Sequence, residues 1–289
     1  MQESEITGIA KQYMGDPTPV TGVFAATISC AYGYSVYAGI TGMWPMWLAF
    51  FVTSYLAFMA YTPLHESVHQ NICGREKRYR WLNDLVGYTM ASILGFSFHI
   101  HKWAHRVHHQ VTNVPGADPD HVFKGQLLYD TVLGGVLLVG NEYRMYFTDA
   151  FPKLDTPRKS IVLAEIATFV GWRMVLAVWF PNEVLLLCVL SSIAGVTWLV
   201  IIFAWLVHIP FDQTQRYRDT STYLLPKAVH RAGTWLWLWQ NYHTIHHLFP
   251  RIAFYKYETV FNRIEPGLRE RGTPIHSIGH TTMQEKNPS

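Results

Sequence analysis

The segment from Val184 to Val207 contains 24 consecutive residues without a charged side chain. As an α-helix rising about 1.5 Å per residue it would be about 36 Å long, which is more than the roughly 30 Å of a bilayer's hydrocarbon core. An apolar run of this length is typical of a transmembrane helix rather than of a buried helix in a soluble domain. The segment therefore predicts a membrane-spanning helix with one end in water.

Three further apolar segments extend this prediction to the whole chain. They run from Val20 to Ile40, from Leu48 to Leu64 and from Ile161 to Phe180, and the short connections GMWPMW and PNE join the four segments in pairs. A composition of 49% hydrophobic and 15% charged residues agrees with a chain embedded in lipid. We therefore predict a single all-α integral-membrane domain, residues 1–289, with four transmembrane helices in two hairpins.

Basic residues are distributed unevenly along the chain. The connections GMWPM and FPNE contain no Lys or Arg, whereas residues 65–160 and those after 208 contain nearly all of the 23. The positive-inside rule then predicts a multi-pass protein whose residues 65–160, N-terminal segment 1–19 and C-terminal tail 265–289 are cytosolic. Arg173 is the exception inside a predicted span, and we expect it to snorkel or to pair with Glu165. The net charge of +3 is too small to predict nucleic-acid binding.

Two shorter apolar stretches lie on the same predicted cytosolic side. They run from Leu85 to Phe98 and from Leu127 to Val139, and both are too short to span a bilayer. We predict that they form interfacial or re-entrant helices of a helical cap.

Histidines are concentrated in three motifs and at one isolated position. Spacings of three and four residues place the imidazoles of a motif on one face of a helix. A zinc site uses at most four protein ligands, so nine candidates predict two metal ions in one cage. The nine are His65 and His69 in HESVH, His105, His108 and His109 in HRVHH, His208, and His243, His246 and His247 in HTIHH.

Other polar residues near the motifs are candidates for supporting roles. We expect Glu66, Asp118 and Asp120 to hold ligand imidazoles in place by hydrogen bonds, and Asp212 and Asp219 are further candidates. His101 lies one turn before His105 and is an additional possible ligand. His99, His121, His230, His276 and His280 lack partners at a suitable spacing, so we predict that they bind no metal.

In this order, and separated by an apolar hairpin, HESVH, HRVHH and HTIHH resemble the three histidine boxes of the membrane fatty-acid desaturase and hydroxylase superfamily. The resemblance covers about residues 50–260. It implies a helical bundle with a cytosolic cap, two Fe(2+) ions per chain, and O2-dependent attack on unactivated C–H bonds with no catalytic residue beyond the ligands. His208 matches an additional histidine near the end of the last membrane helix, and Ala204 stands where some members have asparagine.

The sequences around two boxes resemble one branch of the superfamily more than the others. NYHTIHHLFPRIAFYKYE and HHQVTNVPGADPD are similar to the carotenoid hydroxylases and ketolases. This similarity implies a role in carotenoid biosynthesis with a long lipophilic substrate, and a fatty-acyl lipid desaturase is the alternative. Hydroxylation, ketolation and desaturation all remain open.

The sequence contains no recognisable binding motif for a redox cofactor that could supply electrons. Its three cysteines are scattered, and it has neither a haem-binding domain nor a GxGxxG motif. A separate donor such as ferredoxin or another carrier, with its reductase, is therefore predicted. The basic residues Arg75, Lys77, Arg78 and Arg80 suit an acidic carrier, and equally suit a stop-transfer cluster beside anionic lipid.

Two functions of other classes compete with this interpretation. HESVH also satisfies the HExxH pattern of zinc metalloproteases, in which Glu66 would activate a zinc-bound water. A membrane protease needs only one further ligand, which leaves most of the histidines without a role. A histidine-rich metal transporter or sensor would need polar groups along a path across the bilayer, and the predicted spans contain few.

Overall fold

The structure is a computed structural model that describes residues 1–123 and 128–278, and helices dominate it. The helices are α1 Glu3–Lys11, α2 Pro19–Ile40, α3 Met46–Val68, α4 Arg80–Leu94, α5 Phe98–Gln110, α6 Leu128–Met145, α7 Thr156–Ala177, α8 Pro181–His208, α9 His230–Leu236, α10 His243–Leu248 and α11 Tyr257–Glu270. Two short strands, β1 Thr222–Leu224 and β2 Ile275–Ser277, pair in parallel. The prediction of an all-α membrane protein is confirmed.

Four of these helices are long and apolar enough to cross a membrane, judged by length and composition: α2, α3, α7 and α8. They correspond to the four predicted spans. Helix α3 continues past Leu64 to Val68, so His65 lies in its last turn and His69 caps it. Helix α8 is a continuous helix with two π-helical stretches, Leu185–Leu190 and Val200–Trp205, and His208 is its last residue.

Helices α3 and α8 approach each other closely at Gly195. A Cβ atom placed on Gly195 would lie 2.7 Å from the Cβ of Ala57 and 2.8 Å from the carbonyl oxygen of Ser54. Small residues at such crossings let helix backbones pack directly, which is a common basis of helix association in membranes. The close packing sets the position of His208, at the end of α8, relative to His65 on α3.

Helix α4 enters the bundle rather than lying flat against it. Its C-terminal carbonyls at Ser92 and Ile93 accept hydrogen bonds from Arg173, and Ile93 also accepts one from Ser192 at 2.7 Å. Since Arg173 and Ser192 belong to spanning helices, the end of α4 lies at their depth, as the re-entrant alternative for residues 85–98 predicts. Gly95, with φ of +84°, adopts the left-handed conformation that ends α4.

The predicted pairing of Arg173 with Glu165 is wrong. Arg173 donates to backbone carbonyls, which carry the negative end of the α4 dipole. Glu165 instead accepts hydrogen bonds from the backbone amides of Phe98 and His99 and from the Ser97 hydroxyl. Both side chains thus stabilise helix ends, and Glu165 stabilises the first turn of α5, the helix that carries HRVHH.

The remaining segments form a layer at the histidine end of the bundle. Helix α1, within the predicted N-terminal segment 1–19, packs on α11 through a buried cluster that includes Ile6, Tyr242 and Leu268. Helix α6 occupies the second short apolar stretch, whose first residue, Leu127, lies outside the described residues. The predicted tail 265–289 begins inside α11 and includes β2, and its residues 279–289, with His280, lie outside the described residues.

Candidate metal centre

The structure brings all nine predicted histidines together at one end of the helical bundle. They come from the end of α3, from α5, from the last residue of α8, and from α10. The imidazoles divide into a five-histidine group and a four-histidine group. The first contains His65, His69, His105, His109 and His246. The second contains His108, His208 and His247, whose ligand nitrogens lie close together, and His243, whose ring lies beside those of His208 and His247.

In the five-histidine group the Nε2 atoms face one another across short gaps. His105 Nε2 lies 3.0 Å from the Nε2 of His69 and 3.0 Å from that of His109. His246 Nε2 lies 2.8 Å from the Nε2 of His109. The ring of His65 completes the group, with its centroid 4.2 Å from that of His246. Five imidazoles therefore surround a common point.

The four-histidine group lies beside the first and also contains Nε2 atoms separated by short distances. His247 Nε2 lies 3.3 Å from the Nε2 of His108 and 3.4 Å from that of His208. The ring centroid of His243 lies 4.7 Å from that of His247. The ring centroids of His247 and His109 are only 4.4 Å apart, so the two groups are in direct contact through these two rings.

Hydrogen bonds to the Nδ1 atoms orient several of these rings. His108 Nδ1 donates to the carboxylate of Asp118 at 2.9 Å, and His208 Nδ1 donates to the carbonyl of Ala204 at 2.6 Å. His243 Nδ1 lies 3.3 Å from the amide oxygen of Gln240, and His246 Nδ1 lies 3.1 Å from the hydroxyl of Tyr257. A proton held on Nδ1 leaves the lone pair on Nε2 to point at the centre, which is the tautomer that a metal ligand requires.

The electrostatics of the five-histidine group favour neutral imidazole. Burial lowers the pKa of His69, His105, His109 and His246 well below its ordinary value, and the neighbouring histidines lower it further. Neutral rings with Nε2 lone pairs about 3 Å apart repel one another unless a cation lies between them. The buried nitrogens of His65 also have no hydrogen-bond partner among the described residues. The donor set thus fits two metal ions bound by nitrogen.

Asp118 is the acidic residue most closely joined to the cage. Besides His108, it accepts hydrogen bonds from the backbone amides of Asn113 at 2.7 Å and Asp120 at 2.9 Å. Burial lowers the pKa of His108, but the carboxylates of Asp118 and Asp120 outweigh this effect and raise it to about 9. Asp120 lies farther away, 3.7 Å from His108 Nδ1.

The other three acidic candidates differ in their contacts. Asp219 lies 3.7 Å from His247 Nδ1, whereas Asp212 is exposed and accepts a hydrogen bond from Gln213. Glu66 accepts a hydrogen bond from Asn71 at 3.1 Å and is not bonded to any of the nine histidines in the described ranges. Its expected role in orienting a ligand ring is therefore corrected: adjacent residues on a helix point about 100° apart, so Glu66 faces away from His65.

His101 is close to the cage but does not join either group. Its ring stacks on that of His105 with centroids 5.6 Å apart, and its Nδ1 donates to the carboxylate of Glu142 at 3.0 Å. Both residues are buried, with 4% and 2% of their surface exposed. Of the other histidines, His99 pairs with Glu165 and His230 with Glu258.

Glu142, Gln240 and Tyr257 are functional candidates that the sequence interpretation missed. A signal existed for Glu142, since carboxylates are rare in apolar helices and are usually functional or paired there. Nothing in the spacing of Gln240 or Tyr257 distinguishes them from ordinary polar residues beside the third motif. Their contacts depend on how α10 and α11 pack.

Comparison with known protein families identifies a match over the part of the chain that contains the histidine groups. The family model for fatty acid desaturase matches residues 42–279, a range that contains the nine histidines and the four helices that carry them, α3, α5, α8 and α10. No curated protein matches the chain at a significant level.

Proposed function

The chain belongs to the fatty acid desaturase family, and from this membership we propose that it is an O2-dependent membrane oxidoreductase with two iron ions that hydroxylates or desaturates an unactivated C–H position of a long lipid. Membership establishes a membrane oxidoreductase of the desaturase and hydroxylase type with a lipophilic substrate. The metal, the oxidant and the finer substrate class are the proposal.

The convergence of nine imidazoles in groups of five and four is the observation that carries this proposal. Imidazole suits iron, copper, nickel and zinc, whereas cages of carboxylates suit magnesium, calcium or manganese. Zinc cannot change its oxidation state, so a redox reaction favours iron. Two Fe(2+) ions bound by the nine histidines would supply the redox chemistry by which O2 attacks a C–H bond.

The protein itself would position the substrate and exclude water. A cavity borders the four-histidine group, and Phe96, Val139 and Val196 in its apolar wall also line a groove of about 420 Å³ on the outer side of the bundle. Phe96, Val139 and Val196 separate this groove from the metal ligands, so the ring of Phe96 would have to turn aside for part of a lipid in the groove to reach them. Exclusion of water from the reacting carbon limits side reactions of a strong oxidant.

A carotenoid-type lipid is the proposed substrate, with hydroxylation or ketolation as the reaction. The support comes from the residues around the second and third motifs, HHQVTNVPGADPD and NYHTIHHLFPRIAFYKYE, and the structure gives Asp118 and Tyr257 from these stretches hydrogen bonds to His108 and His246. A fatty-acyl lipid is the alternative.

Metal content and lipid analysis test this proposal. After anaerobic purification we expect about two irons per chain, whereas a zinc metalloprotease would contain about one zinc. Mass spectrometry of lipids from cells that express the chain should show a gain of one oxygen (hydroxylation), replacement of two hydrogens by one oxygen (ketolation) or loss of two hydrogens (desaturation). Zinc without iron, together with unchanged carotenoids and acyl lipids, would reject the proposal.

The histidine motifs and both chain ends are proposed to lie on the cytosolic side, where an electron carrier can reach them. The basic patch is defined here as Arg75, Lys77, Arg78, Arg80 and Arg106, all exposed. Arg106 follows His105 of the five-histidine group on α5. Its positive charge adds to the effects of burial, His109 and His65 in lowering the pKa of His69. An acidic carrier bound to this patch would lie near the cage.

Salt and charge reversal should separate carrier docking from lipid binding at the basic patch. Raising the ionic strength is expected to lower turnover with an acidic protein donor several-fold and to spare turnover with a small chemical reductant, because screening weakens only the protein contact. Arg78→Glu should act in the same way, and Arg158→Glu is a matched control because both side chains are 72% exposed. Equal losses with both reductants would count against docking there.

A further inference from the structure

A narrow cavity lies between the four-histidine group and the membrane-spanning helices. Its volume is about 20 Å³, enough for one water-sized group. His105, His108, His208 and His243 form one side, and apolar side chains of α8 form much of the other. Among these apolar walls the polar side chains of His101, Glu142, Asp120 and Tyr61 also face the cavity.

His101 presents an unused polar atom in this cavity. His101 Nδ1 donates a hydrogen bond to the carboxylate of Glu142 at 3.0 Å. The Nε2 atom of His101 is buried and has no hydrogen-bond partner among the described residues. A buried polar atom without a partner costs about 1–3 kcal/mol, and therefore usually has a ligand or a water.

We propose that His101 Nε2 binds a hydroxyl group of the lipid substrate, a few bonds away from the carbon that is attacked. This inference rests on the proposed function, because it names a feature of the substrate for that site. A hydroxyl group fits best because it can donate to Nε2 of a neutral ring and can accept from Nε2 of a protonated one. The ring of His101 lies 5.6 Å from that of His105, so a bound hydroxyl would hold the neighbouring carbons beside the metal ligands.

The surroundings of His101 argue against a charged head group in this position. Glu142 and Asp120 both line the cavity, and a carboxylate or phosphate of the substrate would meet two buried carboxyl groups. The apolar wall formed by Phe96, Val196 and Phe203 likewise disfavours a charge. A hydroxylated but uncharged lipid satisfies both conditions, and a fatty acid bound by its carboxylate does not.

Substitutions at His101 can remove one ring nitrogen at a time. The side-chain amide of asparagine occupies the place of Nδ1 and can still donate to Glu142, but it does not reach the position of Nε2. The amide of glutamine reaches about as far as Nε2. His101→Asn therefore keeps the contact that holds α5 to α6 and removes the proposed hydroxyl site, while His101→Gln restores part of it.

The experiment measures binding of two matched carotenoids, β-carotene and its dihydroxy derivative zeaxanthin, to the full-length, iron-loaded protein in detergent without reductant. We expect His101→Asn to lower the preference for zeaxanthin, as a ratio of the two Kd values, by about tenfold, with unchanged iron content. His101→Gln should recover part of the preference. His99→Asn is the matched control, since His99 lies outside the cavity and pairs with Glu165, and it should leave the ratio unchanged.

The outcomes separate this inference from the proposed function. An equal ratio of Kd values in the unmodified protein and His101→Asn would overturn the inference. Loss of iron in His101→Asn would also overturn it, because His101 would then act as a ligand. Turnover is measured separately with reductant and O2: a preference that depends on His101 in a protein that oxidises no lipid would retain the hydroxyl site and reject the proposed reaction.

Discussion

Replacing His246 by alanine is expected to lower the iron content from about two to about one atom per chain and to reduce turnover more than about 100-fold. The Nε2 of His246 lies 2.8 Å from that of His109, and the His246 ring is the nearest neighbour of His65 within the group. Loss of an outer hydrogen-bond partner of a metal ligand already costs about 10- to 100-fold, so loss of a ligand should cost more. Iron analysis and O2 consumption measure the effect.

A second histidine variant controls for the general effect of such a change. His276 is exposed and stacks on Tyr223 in the strand pair. His276→Ala should keep both irons and full turnover. Retention of iron and activity in His246→Ala would reject the third motif as a source of ligands and, with it, the five-histidine site.

Replacing Asp118 by asparagine is expected to weaken iron binding at the four-histidine group by about 10- to 100-fold and to leave the five-histidine group loaded. Both carboxylate oxygens of Asp118 accept hydrogen bonds, from His108 and Asp120 on one and from Asn113 on the other. The amide nitrogen of asparagine would have to face one of these donors. Either the ring of His108 or the loop that follows it then loses its support.

A series of chelator concentrations measures this loss as the release of one iron per chain before the other. Asp212→Asn serves as the control, because Asp212 follows His208 but is exposed and accepts its hydrogen bond from Gln213. Release of both irons at the same chelator concentration, as in the unmodified protein, would show that Asp118 does not position His108 for metal binding.

Periodic features of the sequence predicted much of this architecture. The four apolar segments became α2, α3, α7 and α8, with ends shifted by a few residues. Histidines three or four residues apart on a helix lie on the same face. Their number, nine, predicted that they surround a common metal site. Such patterns are local, so they follow from helix geometry and from the cost of apolar surface in water.

Contacts between distant segments could not be predicted in the same way. His101 and Glu142 are 41 residues apart, and their pairing depends on the packing of α5 against α6. Glu165 lies eight residues before Arg173 on α7, and a sequence argument pairs the opposite charges. In the folded chain each side chain instead bonds to a helix end. Unpaired backbone amides and carbonyls inside a bundle are costly, so they need hydrogen-bond partners just as a buried charge does.

The π-helical stretch Val200–Trp205 has a consequence for comparing this chain with its relatives. A wider turn of this kind accommodates about one residue more than an α-helical turn, so a helical wheel drawn from Gly195 to His208 at 3.6 residues per turn misplaces the last residues by about 100°. A relative with a regular helix can present the equivalent imidazole with one residue fewer. Alignments of the last span should therefore allow a single gap within residues 200–205, and should match the contact point at Gly195 and the terminal histidine independently.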